Sequence, residues 1–141
     1  MSCILRAAGE NFDVDLFVAS CQLSPIKVWR KGEPRFPNGA LTEKMNESSG
    51  ANFKVSSADF SELELQFEDA RIFFQENADF VRHLRNFPGV EGVTVDFGSE
   101  IHPPGWCWFA FPPDILVLIG SLGVQLMRSV YPVCDEEENS A

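Results

Sequence analysis

The chain opens on a short apolar run, residues 3–8, that reads as a strand, and the apolar positions then change their period. Val14, Phe17, Val18 and Cys21 recur at helical spacing and define one buried face. Asp13 stands just before them, where its carboxylate could accept from the free amides of a first turn. The helix runs to about Gln22 before Ser24-Pro25 breaks it. Ile26-Lys27-Val28-Trp29-Arg30 alternates like a half-buried strand, and Lys31-Gly32-Glu33-Pro34 ends it. No register of that strand buries both Val28 and Trp29 on one face, so a loop must cap one side. Residues 35–50 carry Pro37, Asn38-Gly39 and Ser48-Ser49-Gly50 and read as a loop with a turn at Asn38-Gly39. This is the longest irregular piece, a candidate recognition element or else a tolerated surface insertion.

Downstream, Phe53 and Val55 alternate with Lys54 and Ser56 and predict a strand over 52–57. One long helix follows from about Glu68 to Asn86, with Ile72, Phe73, Phe80, Leu84 and Phe87 as its stripe, and Pro88-Gly89 stops it. Val93, Val95 and Phe97 predict a strand over 90–97, with a turn over 98–105. Trp106-Cys107-Trp108-Phe109-Ala110-Phe111 is apolar at every position, as expected of a strand covered on both faces. Pro112-Pro113-Asp114 starts a last helix that stops near Gly123, and residues 124–130 form a final strand.

A repeat organises these elements. Phe12-Asp13-Val14-Asp15-Leu16-Phe17-Val18-Ala19-Ser20 lies without gaps over Pro113-Asp114-Ile115-Leu116-Val117-Leu118-Ile119-Gly120-Ser121, so that Asp13 meets Asp114 as a second helix cap. The order β-α-β, loop, β-α-β, β-α-β predicts an α+β fold of duplicated β-α-β units. Roughly six strands would form a mixed sheet with about three helices on one face. Residues 1–132 make a single α+β domain, and residues 133–141 an acidic tail too charged to pack.

Charge alters this picture more than composition does. A net charge of −10 over 141 residues repels phosphate backbones and anionic headgroups, so neither nucleic acid nor membrane is expected as a partner. A partner protein with a basic surface is the interaction that such acidity would favour. Cys3, Cys21, Cys107 and Cys134 lie far apart with no C-x-x-C, Arg6 interrupts any signal-peptide core, and no apolar stretch reaches the ~18 residues of a membrane span. Reduced thiols and a cytoplasmic location follow. No cofactor, metal or catalytic set is expected: His83 and His102 have no nucleophile tied to them by sequence, and Asp96 suits a solvent face as well as a pocket. One local reversal of charge stands out at Lys27, Arg30, Lys31 and Arg35, interleaved with Trp29 and Phe36. Either this cluster pairs internally with the acidic excess, or it docks an anion or an acidic peptide.

The opening strand, the Asp13-led helix, Leu23-Ser24-Pro25, Trp29-Arg30-Lys31-Gly32-Glu33, and Phe111-Pro112-Pro113-Asp114 leading to Val130-Tyr131-Pro132 together resemble the bacterial family called domain of unknown function 4279. The resemblance covers residues 3–132, least of all in the central loop. It implies a fold and a bacterial cytosolic origin, and no activity. Two functions remain open. One is a non-catalytic acidic interaction protein, of immunity type by analogy. The other is a small anionic-ligand binder or enzyme whose pocket lies between the central loop and the sheet. In the second, Trp29, Arg30, Lys31 and Arg35 are the binding residues.

Overall fold

A computed structural model describes residues 1–36, 44–103, 105 and 108–133. Five strands form one sheet: β1 (Cys3–Gly9), β2 (Lys27–Trp29), β3 (Ser49–Ser56), β4 (Gly92–Ile101) and β5 (Gln125–Pro132), in the order β2-β3-β1-β4-β5. Four helices accompany them: α1 (Val14–Ser20), α2 (Leu63–Glu76), α3 (Ala78–Asn86) and α4 (Pro113–Ser121). The α+β class and the mixed sheet agree with the sequence pattern. The strand and helix numbers, five and four among the described residues, replace the six and three expected from it.

β1 is central. It pairs antiparallel with β3 on one side and β4 on the other, β2 pairs antiparallel with β3, and β4 pairs parallel with β5. Strands β1 to β4 with their helices therefore form a split β-α-β arrangement, each crossover stepping over one strand. Helix α4 and strand β5 extend it by one adjacent parallel unit. The two copies of the sequence repeat thus both fold as β-α-β, but only the second places its strands side by side.

Alternation along the strands gives the sheet one apolar face. Leu5 lies between Phe53 and Val95, Ala7 between Ala51 and Val93, and all are buried. The helices cover this face. Phe17 of α1 and Phe80 of α3 meet Phe53 edge-on at ring-centre distances of 6.3 and 5.1 Å, Phe67 of α2 meets Phe97 at 5.3 Å, and Ile115 and Ile119 of α4 complete the core. His83 stacks on Phe17 at 5.5 Å, a packing role.

Several elements depart from expectation. The long helix is two, because Asn77 donates both its backbone N–H and its side-chain amide to the Phe73 carbonyl, at 2.9 and 3.0 Å, and turns the chain there. Helix α2 also starts earlier and buries Leu63, Gln66, Phe67, Ala70 and Phe74, leaving Ile72 51% exposed. Gln66 holds that interior position by donating to the Gly98 carbonyl at 2.8 Å. Residues 108–112 are not a strand, and Trp108 is 79% exposed; Trp106 and Cys107 lie outside the described residues, as do the Asn38-Gly39 turn and the acidic tail from residue 134. Gly123, at φ 71°, ends α4 in the left-handed conformation expected of it.

The two aspartates of the repeat have different roles. Asp13 caps α1, its carboxylate accepting from Leu16 N–H at 3.1 Å. Asp114 is not a cap: the chain enters α4 through Pro112, and Asp114 instead accepts from Arg71 Nε at 2.7 Å, tying α4 to α2. No helix among the described residues is long and apolar enough to cross a membrane. Asp13→Ala should lower the unfolding free energy by about 0.5–2 kcal/mol in urea titration, the usual loss of a helix cap.

Candidate functional site

Among the described residues no helix lies on the opposite face of the sheet, and its polar positions form a row. Lys27 on β2, Asn52 on β3, Arg6 on β1 and Thr94 on β4 stand side by side by register. With strands about 4.8 Å apart, Lys27 and Arg6 leave the sheet roughly 10 Å from each other. The next row is small. Trp29, Gly50, Ala8 and Gly92 align, and the indole of Trp29 lies over Gly50, where a Cβ would overlap it. Val28, the neighbour of Trp29, points to the core instead. The strand therefore has one face packed and the other capped, as its conflicting pattern required.

The chain on either side of the central loop folds back over this face. Pro34 bridges Met45, Arg35 N–H donates to the Lys44 carbonyl at 3.0 Å, Asn46 N–H to the Glu33 carbonyl at 2.9 Å, and Gly32 N–H to the Asn46 carbonyl at 2.9 Å. Asn46 Nδ2 donates to the Arg30 carbonyl at 3.0 Å, and Lys31 N–H to Ser49 Oγ at 2.9 Å, fastening these arms to the sheet. Between the arms and the sheet lies a cleft of about 850 Å³ into which Arg6, Lys27, Arg35 and Lys44 converge beside Trp29. Glu47 is the one carboxylate among its described lining residues.

The electrostatics of this cleft run against those of the whole molecule. Arg35 and Lys44 are neighbours across the paired arms, an arrangement in which like charges repel. Among the described residues neither they nor Lys27 form an ion pair. Arg6 is held by Asp96 at 3.5 Å, and Asp96, nearly buried, also accepts from Ser129 Oγ at 2.7 Å. Asn52 Oδ1 is buried without a hydrogen-bond partner in the same row. A small anion would relieve the cationic crowding, and a donor on it would satisfy Asn52.

Of the residues singled out by sequence, Trp29 and Arg35 line the cleft. Arg30 and Lys31 turn away from it. Arg30 makes a two-pronged pair with Asp15 of α1, its Nη2 at 2.7 Å and Nε at 2.9 Å, and Lys31 Nζ donates to Glu10 at 3.0 Å. Half of the basic cluster is thus paired internally and half faces a cavity. Sequence reasoning missed Arg6 and Lys44 as site residues. An arginine inside the central apolar strand was the available signal for the first; nothing local marked the second. His102 contacts Glu100 at 3.2 Å, outside the cleft, and no group of histidine, cysteine and carboxylate side chains among the described residues could hold a metal ion. No family model, curated protein or solved structure matches the chain.

Two surface pairs carry a pH dependence. The hydrogen bonds from Arg30 hold Asp15 below the usual carboxylate range, and those from Arg71 do the same for Asp114. A carboxyl depressed in the folded chain adds stability above its unfolded pKa, about 3.9, and loses it as pH falls through the folded value. Acid titration of the unfolding free energy should therefore show a decline below about pH 4 that is shallower in the Asp15→Asn/Asp114→Asn double variant.

Proposed function

We propose that this protein binds a small polyanion carrying a flat group, such as a nucleoside phosphate, in the cleft on the helix-free face of its sheet. The observation that carries this reading is the convergence of Arg6, Lys27, Arg35 and Lys44 on one cavity of a chain whose net charge is −10. Evenly distributed charge would not place like cations opposite each other on paired arms. A multivalent anion gives them a common counter-charge, with Arg6 and Arg35 suited to two-pronged contacts and the lysines to point contacts. Trp29, seated on Gly50, offers an indole face for a planar ring. Asn46 and Asn52 add amide groups of both polarities.

The alternative, an acidic surface meeting a basic protein, draws on net charge and on no particular constellation of residues. The cleft reading takes precedence for that reason. The motif around Trp29 supports descent from the bacterial family that the sequence resembles. Free Cys3 and Cys21, the first buried, are compatible with a cytoplasmic, reducing setting.

Isothermal titration of the full chain with pyrophosphate and with adenosine monophosphate tests the reading. Binding should weaken as salt rises. Lys44→Glu should lower affinity about tenfold or more, while Lys31→Glu, whose parent side chain pairs with Glu10 outside the cleft, should leave it unchanged. Absence of heat with both probes, or equal losses in the two variants, would overturn it.

A further inference from the structure

We propose that Asp96 is a built-in counter-anion of the cleft, which holds Arg6 in the absence of ligand and surrenders it to the ligand when one binds. This rests on the anion-binding reading above and deepens it, by naming the residue that limits the affinity of that same site. The register places the pair. Asp96 lies on β4 between Ile4 of β1 and Met127 of β5, neither of which offers it a polar side chain. Arg6 reaches it from the row that lines the cleft, and Ser129 from the row on the other side, beside Gly98. Among the described residues Arg6 is the one cation of the cleft with a carboxylate within 4 Å; Lys27, Arg35 and Lys44 have none.

The two partners are held very differently. Asp96 is 8% exposed, and the Ser129 hydroxyl stands 2.7 and 2.9 Å from its two oxygens, which fixes the carboxylate in place. Arg6 keeps 35% of its side chain exposed and approaches to 3.5 Å through Nη2. A guanidinium that a carboxylate orients makes bonds of about 2.7–2.9 Å, commonly two at once. Arg30 does so with Asp15 in this same chain. The contact of Arg6 is longer, an attraction between charges without a directional bond. An arginine tethered so loosely can turn to another anion, and the carboxylate it leaves keeps its bond from Ser129.

Turning Arg6 toward a ligand leaves a nearly buried carboxylate without its cation, and an uncompensated charge in that position is unfavourable. This offsets part of what the ligand gains from Arg6. The affinity measured is then below the intrinsic affinity of the four cations, as for any ligand whose competent state is the minor one. The effect has a diagnostic sign. Neutralising Asp96 frees Arg6 in advance and tightens binding, whereas losing a residue that merely positions Arg6, or that supports the sheet, weakens it.

Isothermal titration of the full chain with pyrophosphate tests this. Asp96→Asn, which keeps an acceptor for Ser129, should lower the dissociation constant about three- to tenfold. In an Arg6→Met background the same substitution should have little effect, because Asp96 acts through Arg6. In the wild-type chain the NMR signal of the Arg6 Nε–H should shift on addition of pyrophosphate while the Ser129 amide stays in place. Circular dichroism identifies any variant that fails to fold, in which case the Arg6 signal decides. Weaker binding by folded Asp96→Asn, equal tightening with and without Arg6, or an unmoved Arg6 signal on binding would overturn the proposal and leave the cleft reading standing. A wild-type chain that binds no pyrophosphate would overturn both.

Discussion

The seat of β1 between β3 and β4 is the constraint on which the other features depend. Its register sets Leu5 opposite Phe53 and Val95, inside the core, and the same register sets Arg6 beside Asn52 and Thr94 on the far side of the sheet. Side chains alternate with a period of two, so a slip of one residue would expose Leu5 and bury a guanidinium. The core and the cleft are therefore specified by one set of backbone hydrogen bonds. The row that holds Arg6 also aligns Trp29 with Gly50 one step further on, where the missing side chain admits the indole.

From that seat the distribution of charge follows. Arg30 and Lys31 leave the end of β2 toward α1 and Glu10, where carboxylates receive them. Lys27 and Arg35 take the other side, together with Arg6 and Lys44. An acidic molecule that gathers four cations between a sheet and a folded-back arm focuses positive potential there, and the surrounding acids sharpen the contrast.

Much of the fold was legible because burial and period coincide. β1, α1 and β5 fall close to where their apolar spacing puts them. Legibility failed where a polar residue does a structural task. Asn77 divides a helix that its stripe suggested was continuous, although an asparagine followed by Asp79 is itself the mark of a helix start. Gln66 is buried by virtue of its side-chain amide donating to the Asp59 and Gly98 carbonyls, so the stripe of α2 was read through Ile72, about half a turn from the face that packs. Among the described residues of the run around Trp108, Trp108 and Ala110 are exposed while Phe109 and Phe111 turn inward, over Arg128 and against Phe67. For the site, the basic cluster was visible as composition. Which of its members share a cavity depends on partners distant in sequence, Glu10, Asp15 and Lys44, that no local pattern connects.

The central claim is that the helix-free face, and not the acidic exterior, is where this protein meets its ligand. Amide chemical-shift mapping by NMR during titration with pyrophosphate addresses it directly. The account predicts that the largest shifts cluster at residues 5–8, 27–35, 44–52 and 94–96, on both sides of the cleft, with α2, α3 and α4 unmoved. Shifts scattered over the helices, or confined to Arg71, Arg82 and Arg85, would contradict it.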